Sequence, residues 1–163
     1  IFLPTRTNYG FVSASLVLFF LDDPVAALRR WRGLLVPGGR VGVSTFRPWP
    51  PLWQAIEDVF GDYGPDDDGP TSMPDVYATD TGVEGLLRDA GFADVRTEGA
   101  TYAVPFRDVD EWRRWSMGTA MRGLWVRAPE ASHPEIMRRV ADLLAQADHS
   151  LDVEIRYTLG EAP

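Results

Sequence analysis

The chain contains no cysteine and no lysine. Without cysteine, disulfides, thiolate metal sites and cysteine nucleophiles are excluded. Without lysine, a Walker P-loop, a lysine Schiff base, a Tyr-Lys dehydrogenase pair and a kinase ATP lysine are impossible within these residues. Long apolar runs are lacking too: the longest, Ala14 to Leu21, is interrupted by Ser15 and stopped by Asp22-Asp23, far short of the ~20 residues a membrane span needs. No secretory signal pattern opens the chain. A cytoplasmic location is the expectation, and no membrane partner. Net charge is −8 and no basic run occurs, so nucleic acid is not an expected partner. The last deficit is a glycine-rich loop near the start, because only ten residues precede Phe11.

What is present is the composition of one soluble globular domain. The 163 residues are 45% hydrophobic and 25% charged, enough to bury a core, and they show no internal repeat and no clear linker. The most informative stretch is Phe11–Phe46, which reads as strand, helix, tight turn, strand. Phe11–Phe20 is almost continuously apolar, the pattern of a strand buried on both faces of a parallel sheet. Asp23 offers an N-cap and Pro24 a first helical position; Val25, Leu28, Trp31 and Leu35 follow at helical spacing, with Arg29, Arg30 and Arg32 mostly opposite. Pro37-Gly38-Gly39 is expected to end that helix. Arg40–Phe46 alternates as a second strand, and a right-handed crossover makes the two strands parallel neighbours.

Beyond Phe46 the chain is rich in proline and aromatics. Leu52, Ile56, Val59 and Phe60 outline a short helix, and Asp66–Pro70 a loop. Thr81 with Glu84 predicts a capped helix ended by Gly91. Residues 92–106 carry strand material, broken or bulged near Gly99. Two further helices are predicted from capping boxes, Asp108 with Glu111 and Ser132 with Glu135. The closing segment Leu151–Leu159 alternates strictly, with Leu151, Val153, Ile155, Tyr157 and Leu159 inward and Asp152, Glu154, Arg156 and Thr158 outward. That is a half-exposed strand, expected to be antiparallel and near an edge.

Together these segments resemble the class I S-adenosylmethionine-dependent methyltransferases, in particular their small-molecule branch. LPTRTNYGFVSASLVLFFLDDP is similar to the family's fourth strand and lead-in, AALRRWRGLLVPGGRVGVSTF to its next helix, Pro-Gly-Gly turn and fifth strand. TGVEGLLRDAGFADVRTE resembles the later helix, Ala-Gly-Phe, strand unit, and LDVEIRYTL the antiparallel last strand. Two departures stand out. Gly10 replaces the family's aspartate after an aromatic, here Tyr9, and the first three strand–helix units with their glycine-rich loop are absent. The resemblance therefore implies a Rossmann-like α/β methyltransferase sheet, mostly parallel with an antiparallel last strand and lacking its N-terminal units. It implies a single domain over 1–163 with a helical lid insertion at about 107–148. Because the chain starts at Ile1, it is expected to be an excerpt of a longer protein.

Ser13, Ser15 and Leu16 fall at the carboxyl end of the first strand, where open α/β sheets place ligands. By resemblance, Ser15 and Leu16 contact the methionine part of S-adenosylmethionine, and Phe19 and Phe20 sit beside its transferable methyl; the alternative is that the serines satisfy local backbone and the phenylalanines are core. Arg47, Trp49 and Trp53 follow the second strand and offer a substrate wall. Trp112 and Trp115, with Met117, Met121 and Trp125, occupy the lid region on what reads as one long helix, facing either substrate or core. His133 and His149 read as cap and turn residues, Asp66-Asp67-Asp68 as a solvated loop rather than a metal site, and Ser44 lacks the second glycine of a nucleophile elbow, Phe46 standing in its place. No metal is expected. The implied activity is methyl transfer to a small, partly hydrophobic acceptor by the full-length protein. A non-catalytic methyltransferase-like module in an assembly and a different α/β ligand-binding domain are the alternatives. The flank of the first strand is expected to be covered, by a missing N-terminal segment or by another copy of the chain.

Overall fold

A computed structural model describes residues 8–64 and 74–163. The predicted Leu3-Pro4 lead-in and the Asp66–Pro70 loop lie outside them. Four strands form one sheet in the order β1-β2-β4-β3, where β1 is Tyr9–Ser15, β2 Leu35–Phe46, β3 Ala93–Pro105 and β4 Ser150–Glu161. β1 and β2 are parallel neighbours, Val12 opposite Val41 and Ser15 opposite Ser44, and β4 runs antiparallel to β2. The helices are α1 (Pro24–Arg32), α2 (Pro51–Gly61), α3 (Asp80–Asp89), α4 (Val109–Met117), α5 (Arg122–Arg127) and α6 (His133–Gln146). The chain divides into two compact units. One holds the described residues within Ile1–Pro48, Met73–Ala100 and Glu154–Pro163; the other those within Trp49–Ser72 and Thr101–Val153.

In the first unit, α1 starts where the sequence places it. Asp23 Oδ1 accepts from Ala26 N at 2.8 Å and Pro24 occupies the first turn. Arg29, Arg30 and Arg32 crowd the last turn, where cations offset the helix dipole. Its buried residue, Leu28, joins Val41, Val43, Val83, Leu87 and Phe92 in the core between the sheet and α1 and α3. Each such buried aliphatic side chain contributes about 1.5–3 kcal/mol.

Several sequence expectations need correction here. The first strand stops at Ser15, not Phe20: Leu16 turns into positive φ (52°) and Leu18–Phe20 form a 3-10 turn. Nor is β1 buried on both faces, since Ala14 is its one buried residue and Phe11 is 55% exposed. The helix ends at Gly33, and Pro37-Gly38-Gly39 lies inside β2 instead. There it is a bulge, because β1 advances from Tyr9 to Phe11 while β2 advances from Leu35 to Arg40. Gly38, at φ 74°, supplies the left-handed residue that bulge requires. Thr79, not Thr81, caps α3, accepting from Gly82 N at 3.0 Å.

The last strand is antiparallel as expected but interior, flanked by β2 and β3. Its polar face is covered, so Arg156 and Thr158 are buried, whereas Tyr157 on the other face is 40% exposed. The alternation is real; which face is covered is reversed at this end of the strand. The open face carries Phe11, Ser13, Ser44, Tyr157 and Leu159 around a shallow depression of about 250 Å³.

The second unit packs α2, α4, α5 and α6 on a core of Trp53, Ile56, Phe60, Trp112, Trp125, Ile136, Val140 and Leu144. Asp108 caps α4 as predicted, accepting from Glu111 N at 2.7 Å, while Glu111 reaches back to Arg107 N at 2.8 Å. Ser132 makes no cap hydrogen bond to α6; Glu135 pairs with Arg138 instead. The expected long helix through Trp112–Trp125 is two helices, α4 closing at Gly118 and α5 starting at Arg122. Among the described residues no helix is long and apolar enough to cross a membrane.

Candidate functional site

At the carboxyl end of β1 and β2 the two strands are tied by a serine pair. Ser15 Oγ lies 3.0 Å from Ser44 Oγ, and Leu16 N donates to Ser44 O at 3.0 Å and to Ser44 Oγ at 3.2 Å. Those bonds hold Leu16 in a left-handed conformation that a branched side chain rarely adopts, the kind of backbone strain found at ligand sites. Ser44 is buried at 5% exposure, while Ser13 and Ser15 face outward. Beyond the turn, Phe19 is half-buried against Phe46 (5.9 Å between centroids) and edge-on to Tyr77 (6.3 Å); Phe20 is 76% exposed. Of the residues the sequence locates on one rim, Ser15 and Leu16 are joined through Ser44, Phe19 packs on Phe20 beyond the turn, and Ser13 pairs with Gly42 two residues back along β1. The sequence considers Ser44 only to reject it as a nucleophile.

Arg47 follows β2 on the same rim. Its guanidinium is held by Asp80, Nη2 to Oδ2 at 2.6 Å and Nε to Oδ1 at 3.2 Å, and that hydrogen-bonded carboxylate raises its pKa. Gly99 is the position where a Cβ would collide with this guanidinium, and the strand remains continuous there rather than broken. Arg156 Nε comes within 3.0 Å of Asp80 Oδ1, an ion-pair distance without hydrogen-bond alignment. Burial pulls the Arg156 guanidinium below its ordinary pKa. Asp80, Tyr77 and Arg156 are missed by sequence reading. The alternation of β4 assigns Arg156 to solvent, and only the tertiary cover of that face reveals otherwise.

In the second unit the tryptophans form a chain of ring contacts. Trp49 stacks on Trp53 at 4.7 Å and 26°, Trp53 meets Trp115 at 5.7 Å, and Trp115 meets Phe106 at 5.3 Å. Trp53 is anchored by its Nε1–H donating to Asp152 O at 2.9 Å. Trp49 is 37% exposed, so it presents an indole surface; Trp112 is fully buried beside Phe60 and Trp125. His133 Nε2 lies 3.3 Å from the carbonyls of Trp125 and Ala128, both acceptors. His149 is exposed in the left-handed turn before β4. No group of His, Asp and Glu able to hold a metal occurs among the described residues.

No family model and no curated protein matches the chain. Solved structures do. The whole chain superposes on 68% of a candidate methyltransferase from Bacillus halodurans, with a TM-score of 0.50 and 11% identity. YcgJ of Bacillus subtilis matches 98% of this chain over 66% of its own, again with TM-score 0.50 and 11% identity. Phosphoethanolamine N-methyltransferase 2 of Haemonchus contortus, solved with S-adenosyl-L-methionine, matches 97% of this chain over 34% of its own, but at a TM-score of 0.45 and 12% identity that likeness carries no weight. What the first two establish is the fold: the chain has a Rossmann-like α/β fold of the methyltransferase type, with the antiparallel last strand. It spans between 34% and 68% of the length of these solved chains.

Proposed function

We propose that the complete protein is an S-adenosylmethionine-dependent methyltransferase acting on a small, partly hydrophobic acceptor, and that these residues form the later part of its fold. The observation carrying this reading is the strained turn at Leu16. It is held by Ser44 at the carboxyl end of two parallel strands, the place where open α/β sheets receive ligands. The residues present suit the methionine end of that cofactor: an exposed hydroxyl on Ser15 and an apolar rim of Leu16, Phe19 and Phe20. No glycine-rich turn after an apolar strand occurs in the sequence to receive the nucleoside end.

When bound, the cofactor supplies a methyl group already activated by its sulfonium charge. The protein's own contribution is then alignment and exclusion of water, which needs no strong acid–base pair. Ser15 and Leu16 hold the methionine portion, with Ser13 nearby, and Phe19 and Phe20 form the apolar wall. Within the second unit, acceptor contacts are assigned to the indole surface of Trp49, backed by Trp53 and Trp115, with Trp112 acting through packing. We also propose that the outer edge of β1, the end strand of the sheet, is covered by residues upstream of this sequence, in preference to another copy of the chain.

Calorimetric titration with S-adenosylmethionine tests the reading. Binding by a longer form carrying the upstream residues, with none or far weaker binding by the 163 residues alone, is the expected result. Silence from both overturns it and favours a non-catalytic module.

A further inference from the structure

Arg156 is the most deeply buried charge among the described residues, 1% exposed in the middle of β4. Its Nη1 donates to Tyr77 O at 2.7 Å and to Thr79 O at 3.0 Å. Thr79 caps α3 and Asp80 is its first residue, so a guanidinium from the sheet meets a helix N-terminus, the end at which a cation is unfavourable. Asp80 offsets that charge, and its two oxygens are shared between Arg156 and Arg47. β2, β4 and α3 are thereby tied at the carboxyl end of the sheet.

The tie continues into the rim. Tyr77, 3% exposed, sets its ring edge-on to Phe19 at 6.3 Å, and Phe19 packs on Phe20 at 4.6 Å. Stability alone does not call for an arginine here, since well-packed apolar side chains often replace buried ionic networks without loss. What an apolar residue cannot do is hold two backbone carbonyls at fixed distances.

We propose that Arg156 is a positioning residue: by fixing the Tyr77 and Thr79 carbonyls it sets the Tyr77 ring against Phe19, and through Phe19 it fixes the Leu16–Phe20 turn for the cofactor. This rests on the functional reading above, and the experiment separates the two. In the full-length protein, Arg156→Met is expected to weaken S-adenosylmethionine binding at least tenfold, measured by calorimetry well below the unfolding temperature. Arg156→Lys, which keeps the charge and a single donor nitrogen without the planar fork, restores part of the affinity. Tyr77→Leu gives a similar loss, and the double variant R156M/Y77L is no weaker than either single one, because both act through one path.

In the 163 residues themselves, hydrogen exchange at the Phe20 and Leu21 amides, which donate to Val17 O and Leu18 O, is expected to quicken in Arg156→Met. If the wild-type full-length protein does not bind S-adenosylmethionine, the functional reading fails while faster exchange still upholds the Arg156–Phe19 linkage. Unchanged exchange, wild-type affinity in Arg156→Met, or additive losses in R156M/Y77L overturn the proposal. Should Arg156→Met not fold, Tyr77→Leu and Arg156→Lys carry the same test.

Discussion

The two units are held by different physics. In the first, the features at the sheet rim are fixed by directional bonds: Ser44 to Leu16, Asp23 to Ala26, Thr79 to Gly82, and Arg156 to two carbonyls. In the second, position comes from packing of rings, with Trp112, Trp125 and Phe60 in mutual contact and Ser116 Oγ accepting from Trp125 Nε1 at 2.9 Å. Directional bonds hold a backbone turn in a conformation it would otherwise leave, which suits a part that must meet one ligand geometry. Packed rings tolerate change of shape at constant volume, which suits a wall for an apolar surface.

The contrast predicts unequal costs. Truncating Trp112 to alanine removes a fully buried indole and is expected to destabilise by about 3–5 kcal/mol. Trp112→Phe should cost less than about 1.5 kcal/mol, because volume is largely kept and the indole N–H has no hydrogen-bond partner among the described residues. Denaturant unfolding followed by tryptophan fluorescence reads both, since five of the six tryptophans lie in this unit. A Trp112→Phe variant as unstable as Trp112→Ala would break the packing account. In the first unit, Ser44→Ala is expected to cost only about 1 kcal/mol, the scale of one net hydrogen bond, since Leu16 N keeps the Ser44 carbonyl. A loss matching that of Trp112→Ala would mean the rim is held by something other than these bonds.

How much is legible in the sequence follows the same division. Local signals survive: Asp23-Pro24 opens α1, Asp108 caps α4, and the parallel pairing of the first two strands follows from crossover handedness. The rim residues Ser15 and Leu16 are singled out through the family resemblance, since the apolar run by itself carries the strand on to Phe20, past its end at Ser15. What fails is whatever tertiary cover decides. Periodicity puts Ile155 and Arg156 on opposite faces of β4, but it does not reveal that α3 covers the arginine's face. An apolar run reads as a doubly buried strand because composition cannot show that the chain turns left-handed at Leu16. Pro37-Gly38-Gly39 reads as a helix stop because a bulge uses the same residues.

The smallest predicted effect concerns Glu57, which lies on α2 one turn beyond Trp53 and is half-buried without hydrogen bond or ion pair among the described residues. Burial raises its pKa above the ordinary carboxyl value, and the neighbouring Asp58 adds to that. A raised folded-state pKa means the fold prefers the protonated acid. Its stabilising contribution is therefore complete below the unfolded pKa of about 4.3 and is lost as pH rises through the folded value. Glu57→Gln, which removes the charge, should raise stability near neutral pH by less than about 0.5 kcal/mol, and that gain should vanish below about pH 4. Denaturant midpoints for both proteins at the two pH values decide it. A variant less stable than wild type at neutral pH would show that the carboxylate meets a compensating cation, and the apolar character assigned to the face of α2 around Trp53 would have to be withdrawn.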